Sequence, residues 1–361
     1  MNYKKKNILE LLENNIFFLV VINFGNFVNL ISQFFLSRNL GFNDFSLYVA
    51  CLNLLTIFTT INIVSPILIR NYFDIQKKID IRKVILLKKI LIYYLIYWII
   101  TCLVLIGYKN YFLNILKINN TSIIFFLISS VGAVNLMSIL YGIFLSINKY
   151  KQGALLNSFN PLLRFSLILI IFYFFSNSAL DLIYSTLYAS IIVILISLII
   201  LFNEHKKILI KVFSVNIRNL KIPYFFEFFL YLVTFSLIFN IDNLVVRYLF
   251  SEKISAEYIS MNLISKIIFF LVIGIAPLMF AELKKLKNQL PLYISIFIIV
   301  FLGTIFFLVI NIFHKEISII IFGNKYLDNT NIMMQLSLAN ISFGVLYFLI
   351  LNKLAKKNYI N

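Results

Sequence analysis

Asn240-Ile241-Asp242-Asn243, then Arg247-Tyr248-Leu249, then Tyr258-Ile259-Ser260-Met261-Asn262-Leu263 with Lys266 behind it, run through a stretch from Phe225 to Pro277 that is otherwise apolar. The pattern predicts two apolar helices about a polar turn at Ser251–Glu257, with Asp242, Arg247 and Lys266 inside the hydrophobic spans. A charge near the centre of a membrane helix costs roughly 2.5–3.5 kcal/mol or more, so it faces a partner or a wet cavity and is a functional candidate from the outset. The stretch also has an echo. Arg38-Asn39-Leu40, Tyr48, Asn53-Leu54 and Pro66 follow one another as Arg247-Tyr248-Leu249, Tyr258, Asn262-Leu263 and Pro277 do later. A second echo, again about 205 residues apart, pairs Asn135, Gly142 and Asn148-Lys149 with Asn340, Gly344 and Asn352-Lys353.

Composition sets the environment. Hydrophobic residues make up 61% of the 361, aromatics 17% and charged residues only 13%, with a mean hydropathy of +0.96; an ordinary soluble domain has about 25% charged residues. Apolar runs of about 20 residues parted by short polar turns predict an all-α polytopic membrane protein, not a barrel. Ten spans are expected, near 15–37, 42–69, 84–107, 121–147, 155–176, 181–202, 224–250, 256–281, 290–313 and 331–352. Of the 32 Lys and Arg, 23 fall in the N-terminus, alternate connections and tail, 6 in the opposite turns and 3 within spans. That bias places both termini in the cytoplasm and accounts for the net charge of +18 without nucleic acid. The first apolar run follows a charged Met1–Glu13 and has no small-residue cleavage site, so it reads as a retained helix. Cys51 and Cys102 lie in apolar runs and suggest packing.

Both copies of the repeat begin on the same side, so the repeat is parallel, about an axis along the membrane normal. It divides the chain into a six-helix lobe, 1–222, with a basic cytoplasmic linker, and a four-helix lobe, 223–361, two helices short of a full copy at Asn361. The longest connection, Asn203 to Pro223, is basic and reads as a helix lying along the headgroups. No connection is long enough for a catalytic domain.

Leu36-Ser37-Arg38-Asn39-Leu40-Gly41 with Asp44-Phe45-Ser46-Leu47-Tyr48, Asn240-Ile241-Asp242-Asn243 with Tyr258, Ala276-Pro277-Leu278-Met279-Phe280, and Ile321-Phe322-Gly323-Asn324-Lys325-Tyr326-Leu327 resemble the polysaccharide flippases (Wzx-type) of the MOP (multidrug/oligosaccharidyl-lipid/polysaccharide) exporter superfamily, which also holds the MATE drug exporters. The resemblance covers essentially the whole chain. It implies two lobes about a central cavity and alternating-access transport of an undecaprenyl-pyrophosphate-linked oligosaccharide, of O-antigen or capsule type, across the bacterial inner membrane. A polysaccharide polymerase and a chain-length regulator are the partners it implies beside the bilayer. Relatives have twelve or fourteen helices, so a non-functional remnant stands as one alternative and a cation-coupled MATE-like exporter as another. Exporters usually keep an acid in the first helix, and this chain has no Asp or Glu between Glu13 and Asp44.

Such a substrate needs cations for the pyrophosphate and amides for the glycan. On the first span Asn23, Asn26, Asn29 and Gln33 share a helix face; cavity lining and helix–helix bonding are both open to them. On the fifth, Asn157, Asn160 and Arg164 fall at i, i+3 and i+7 beside Pro161, and a mid-span guanidinium matches phosphate oxygens bidentately. A buried ion pair is the other reading of Arg164. On the seventh, Asn240, Asn243 and Arg247 share a face; Arg247 reads as snorkelling to the outer surface. Asp242 and Lys266 read as an ion pair or, more sharply, a protonation switch. His205 and His314 lie in separate connections, and no Gly-Lys phosphate loop or metal-ligand spacing occurs, so neither cofactor nor metal is called for and the chain reads as a transporter, not an enzyme.

Overall fold

A computed structural model describes residues 2–59, 81–147, 149–214, 225–269, 289–328 and 330–356, together with Pro66, Ile69, Val272, Met279 and Leu283. Among them are eleven α-helices, one 3-10 turn and no strand. They are α1 (Asn2–Asn39), α2 (Phe42–Phe58), α3 (Ile81–Gly107), α4 (Lys109–Leu116), α5 (Ser122–Ser146), α6 (Tyr150–Phe174), α7 (Ala179–Ser214), α8 (Phe225–Leu249), α9 (Glu252–Ser265), α10 (Leu290–Phe322), the 3-10 turn Asn324–Tyr326 and α11 (Ile332–Lys356). Eight of the helices are long and apolar enough to cross a membrane, and Phe42–Phe58 is a shorter apolar helix. The protein is an all-α, multi-pass membrane protein. Expected spans 42–69 and 256–281 run past α2 and α9 into residues outside the described set, as does Pro277.

Four local differences from the sequence reading have physical causes. The turn after α3 forms its own helix, α4, which buries Leu113 and Leu116 and ends on Lys117 in the left-handed region (φ 54°), whose N–H returns to Asn114 O. The basic run after residue 203 continues α7 to Ser214 instead of starting a separate helix. The polar turn expected from Ser251 to Glu257 shrinks, because the Ser251 hydroxyl accepts the Ile254 N–H (3.5 Å) and Glu252 suits the first turn, starting α9 at once. Beyond the expected end at 313, α10 kinks at Phe313 (φ −117°, ψ 22°) and runs on to Phe322. Helix α6 passes through Pro161 as one helix.

Packing divides the chain into two compact units, residues 50–240 and residues 1–49 with 241–361. In the first, α5 is the central helix, packed against α3, α6 and α7 around Leu140, Phe144, Leu156 and Val193. Polar side chains stitch α3 to its neighbours: Tyr94 donates to Gly132 O (2.6 Å), Trp98 Nε1 to Ile128 O (3.0 Å) and Tyr97 to Phe58 O (2.8 Å). In the second unit α11 packs against α10 and α9, and the Ser265 hydroxyl donates to Met333 O (3.1 Å).

The repeat noticed in the sequence has a packing cause. A Cβ on Gly142 of α5 would come within 2.9 Å of Ile69 Cδ1 and 3.0 Å of Pro66 Cα; one on Gly344 of α11 would come within 2.8 Å of Val272 Cγ2. In each copy a glycine lets the fourth span touch the chain around the second span. Gly142→Val is therefore expected to lower stability by about 1–3 kcal/mol, since the Pro66 backbone cannot move aside. Gly41→Ala, with nothing within 4 Å of its Cβ, is the neutral control, and thermal unfolding in detergent compares the two. Setting Gly142 on Gly344 also matches Leu136 and Phe144, packed in the α5 core, with Leu338 and Leu346 of α11, which are exposed.

Candidate functional site

The charged cluster is built by α8 and α9, a hairpin closed by the Ser251 cap. Returning along α8, α9 brings Tyr258 and Asn262, one turn apart, onto Asp242. Tyr258 Oη donates to Asp242 Oδ2 (3.2 Å), and Asn262 Nδ2 donates to that same oxygen (2.6 Å) and to Asn243 Oδ1 (2.9 Å). Lys266 Nζ, one further turn on, lies 4.0 Å from Asp242 Oδ1. Asn243, Asn262 and Lys266 are buried, while the Asp242 side chain is 30% exposed. The carboxylate is thus held by two neutral donors on one oxygen and faces a lysine with the other. Helix phase alone set Asp242 apart from Asn243; the Asn262 amide bridges them because its Nδ2 carries two hydrogens.

Arg247 departs from the snorkelling expectation. It is 1% exposed, and its guanidinium donates to Asn43 O (3.1 Å), to Asn43 Oδ1 (2.5 Å) and to the Ser46 hydroxyl. Asn43 and Ser46 occupy the first turn of α2, and Ser46 in turn donates to Phe42 O (2.8 Å). Acceptors fixed in the protein replace the water a snorkelling arginine would seek. The sequence held no local sign of this, because Asn43 and Arg247 meet only through the fold.

In the unit 50–240, Asn157, Asn160 and Arg164 lie along α6. Asn160 Nδ2 donates to Ser190 Oγ of α7 (3.2 Å) and contacts Met137 Sδ of α5 (3.3 Å), so it joins three helices. Asn157 is half-buried, and Arg164, one turn beyond Asn160, is 8% exposed in the middle of its helix. Asn240 is buried and donates to Ser236 O of its own helix (2.9 Å).

On α1, Asn23, Asn26, Asn29 and Gln33 are all half-buried, while Phe24 and Phe27 are exposed. Asn26 Nδ2 and Gln33 Oε1, two turns apart, are shielded from solvent and have no hydrogen-bond partner among the described residues. Amides that served only to join helices would be satisfied by their neighbours.

Glu257 was not singled out by its sequence, yet it is 1% exposed at the start of α9, 3.7 Å from Lys253, which also bonds Asp328 (2.6 Å). The hydrogen bond and charge of Asp328, with Glu257 behind, raise the pKa of Lys253. This cluster therefore adds stability at neutral pH that is lost as pH rises through the raised lysine value. Among the described residues no group of His, Cys, Asp and Glu is arranged to hold a metal. Cys51 is buried and Cys102 half-buried, and neither is in a disulfide.

Long apolar helices with polar and charged side chains turned inside them define a helical membrane protein. No family model and no curated protein matches the chain. Among solved structures it is similar to the lipid II flippase MurJ in an inward closed conformation, with 14% identity over 95% of this chain and 76% of that one and a TM-score of 0.65. It is also similar to an inward-facing multidrug resistance MATE family transporter of the MOP superfamily, with 12% identity over 94% and 83% and a TM-score of 0.61. A MATE in the straight conformation gives 11% identity over 92% and 82% and a TM-score of 0.54. At these identities the likeness is one of fold: the chain has the fold of the MOP-superfamily transporters.

Proposed function

We propose that this chain is a flippase of the Wzx type, moving undecaprenyl-pyrophosphate-linked oligosaccharide units of O-antigen or capsule type across the bacterial inner membrane by alternating access. Its lobes are residues 1–222 and 223–361, its termini lie in the cytoplasm, and it works beside a polysaccharide polymerase and a chain-length regulator. The observation that carries the reading is the α1 stripe, where Asn26 and Gln33 keep buried amide atoms without partners among the described residues and no acid stands between Glu13 and Asp44. Neutral amides with spare hydrogen-bonding capacity suit a glycan, and a mid-helix guanidinium at Arg164, with Asn157 and Asn160 a few residues before it, suits a pyrophosphate. The likeness to a lipid II flippase supports the same class of cargo. In a strain that depends on this gene, Asn26→Ala with Arg164→Gln is expected to abolish surface polysaccharide while the protein remains in the membrane. Normal polysaccharide in that variant would overturn the site.

The second reading is a cation-coupled small-molecule exporter. It draws on the MATE likenesses and on Asp242, a part-exposed carboxylate inside a span with Tyr258 and Asn262 on one oxygen. Protonation there would weaken its attraction to Lys266 and serve as the coupling step. Efflux of a cationic dye that stops with Asp242→Asn, in cells whose surface polysaccharide is unaffected, would favour this reading.

A further inference from the structure

Arg38 and Arg247 are related by the sequence repeat, and each reaches across to the other copy. Arg247 of the second copy bonds Asn43 and Ser46 at the start of α2. Arg38 of the first copy donates from Nε to Ile321 O (2.8 Å) and from Nη2 to Ile320 O, at the C-terminal end of α10. The turn that follows α10 answers in kind. Lys325 Nζ donates to Arg38 O (3.0 Å) and Leu40 O (2.8 Å), the open carbonyls at the end of α1, and Tyr326 Oη donates to Ser37 O (3.0 Å). Each helix end is capped by a cation from the other copy, which satisfies carbonyls that have no partner in their own helix. Gly323, at φ +83° and ψ −179°, takes a backbone conformation reserved for glycine and turns the chain so that Lys325 and Tyr326 point back. The Tyr326 ring is fully buried between Phe42, Phe45 and Phe322, edge-on to each.

We infer that Arg38, Asn43, Ser46, Arg247, Lys325 and Tyr326 form a reversible latch that holds the two repeat copies together at one end of their helices, the outer end by the charge bias of the connections. This rests on the alternating-access reading above and adds to it the contacts that must part when the outer side opens. Reversibility follows from what the latch is made of. Its bonds run from cations and a phenol to main-chain carbonyls, an amide and a hydroxyl, all groups that water satisfies when the copies separate.

Spin labels at Asn39 and Asn324, both exposed and on opposite copies, report the contact in lipid nanodiscs after Cys51 and Cys102 are replaced by Ala. The parent protein is expected to show a single short distance. Arg38→Ala with Lys325→Ala, two residues outside the buried core, is expected to raise the population of a longer distance about tenfold or more. Tyr326→Phe, which keeps the ring and removes only the hydroxyl, is expected to give a smaller rise of the same kind, and Arg38→Lys to restore part of the short distance. An unchanged distance in both the double variant and Tyr326→Phe, with the proteins folded by size exclusion, would overturn the latch. A longer distance in a protein that moves no lipid-linked sugar would leave the latch standing and remove the substrate reading.

Discussion

Arg247→Ala is expected to destabilise the protein by about 3 kcal/mol or more, the largest effect of any single substitution proposed for it. The guanidinium makes three hydrogen bonds to Asn43 and Ser46 at 1% exposure, so truncation removes charge-assisted bonds, leaves buried acceptors unpaired and opens a cavity at once. Arg247→Met keeps most of the volume and isolates the hydrogen-bonding part; it should recover only a minority of the loss. Arg247→Lys should fare little better, because one ammonium on a flexible stem does not reproduce a planar fork aimed at the carbonyl, amide and hydroxyl together. Thermal unfolding in detergent, followed by tryptophan or thiol-dye fluorescence, checks all three. A melting temperature for Arg247→Ala within a degree or two of the parent would contradict the packing described.

The second large effect is an asymmetry within the α8–α9 cluster. Asp242→Ala removes the carboxylate 4.0 Å from Lys266, a lysine 8% exposed, and removing a nearby opposite charge in a low-dielectric setting is costly. Because the pair is 4.0 Å apart and Asp242 is 30% exposed, the expected cost is near the low end for broken buried pairs, about 3 kcal/mol. Lys266→Met should cost under about 1 kcal/mol, because Asp242 keeps Tyr258 and Asn262 and part of its hydration while a methionine fills the space without a charge. Unfolding of the two variants side by side is the check. Equal losses would mean that the two charges are held independently, and a larger loss for Lys266→Met would reverse the account of which partner needs the other.

The helices were legible because hydropathy and length decide what crosses a bilayer, and neither depends on tertiary contacts. Gly142 and Gly344, paired in the sequence echo, are each a point where a helix touches a neighbouring segment. The Asp242–Lys266 juxtaposition followed from a short hairpin, where sequence distance and spatial distance agree. Arg247 did not follow, because its partners lie 204 and 201 residues away and their amide and hydroxyl carry no sign of their task. Helix α4 was missed because eight residues between two apolar runs look like any polar turn until Leu113 and Leu116 find a surface. Candidate residues Asn160 and Asn240 turned out to have partners within their own surroundings, whereas the unpartnered amides of Asn26 and Gln33 could only be seen once neighbours were placed.

Reconstitution tests the cargo most directly. Proteoliposomes carrying a lipid-pyrophosphate-linked oligosaccharide with a fluorescent sugar, probed by a quencher confined to one side, report how much of the lipid has crossed. The account predicts crossing that depends on the purified protein, is strongly reduced by Arg164→Gln or by Asn26→Ala with Gln33→Ala, and is restored in part by Arg164→Lys. Crossing no faster than in protein-free vesicles, together with protein-dependent export of a cationic dye from the same preparation, would contradict it.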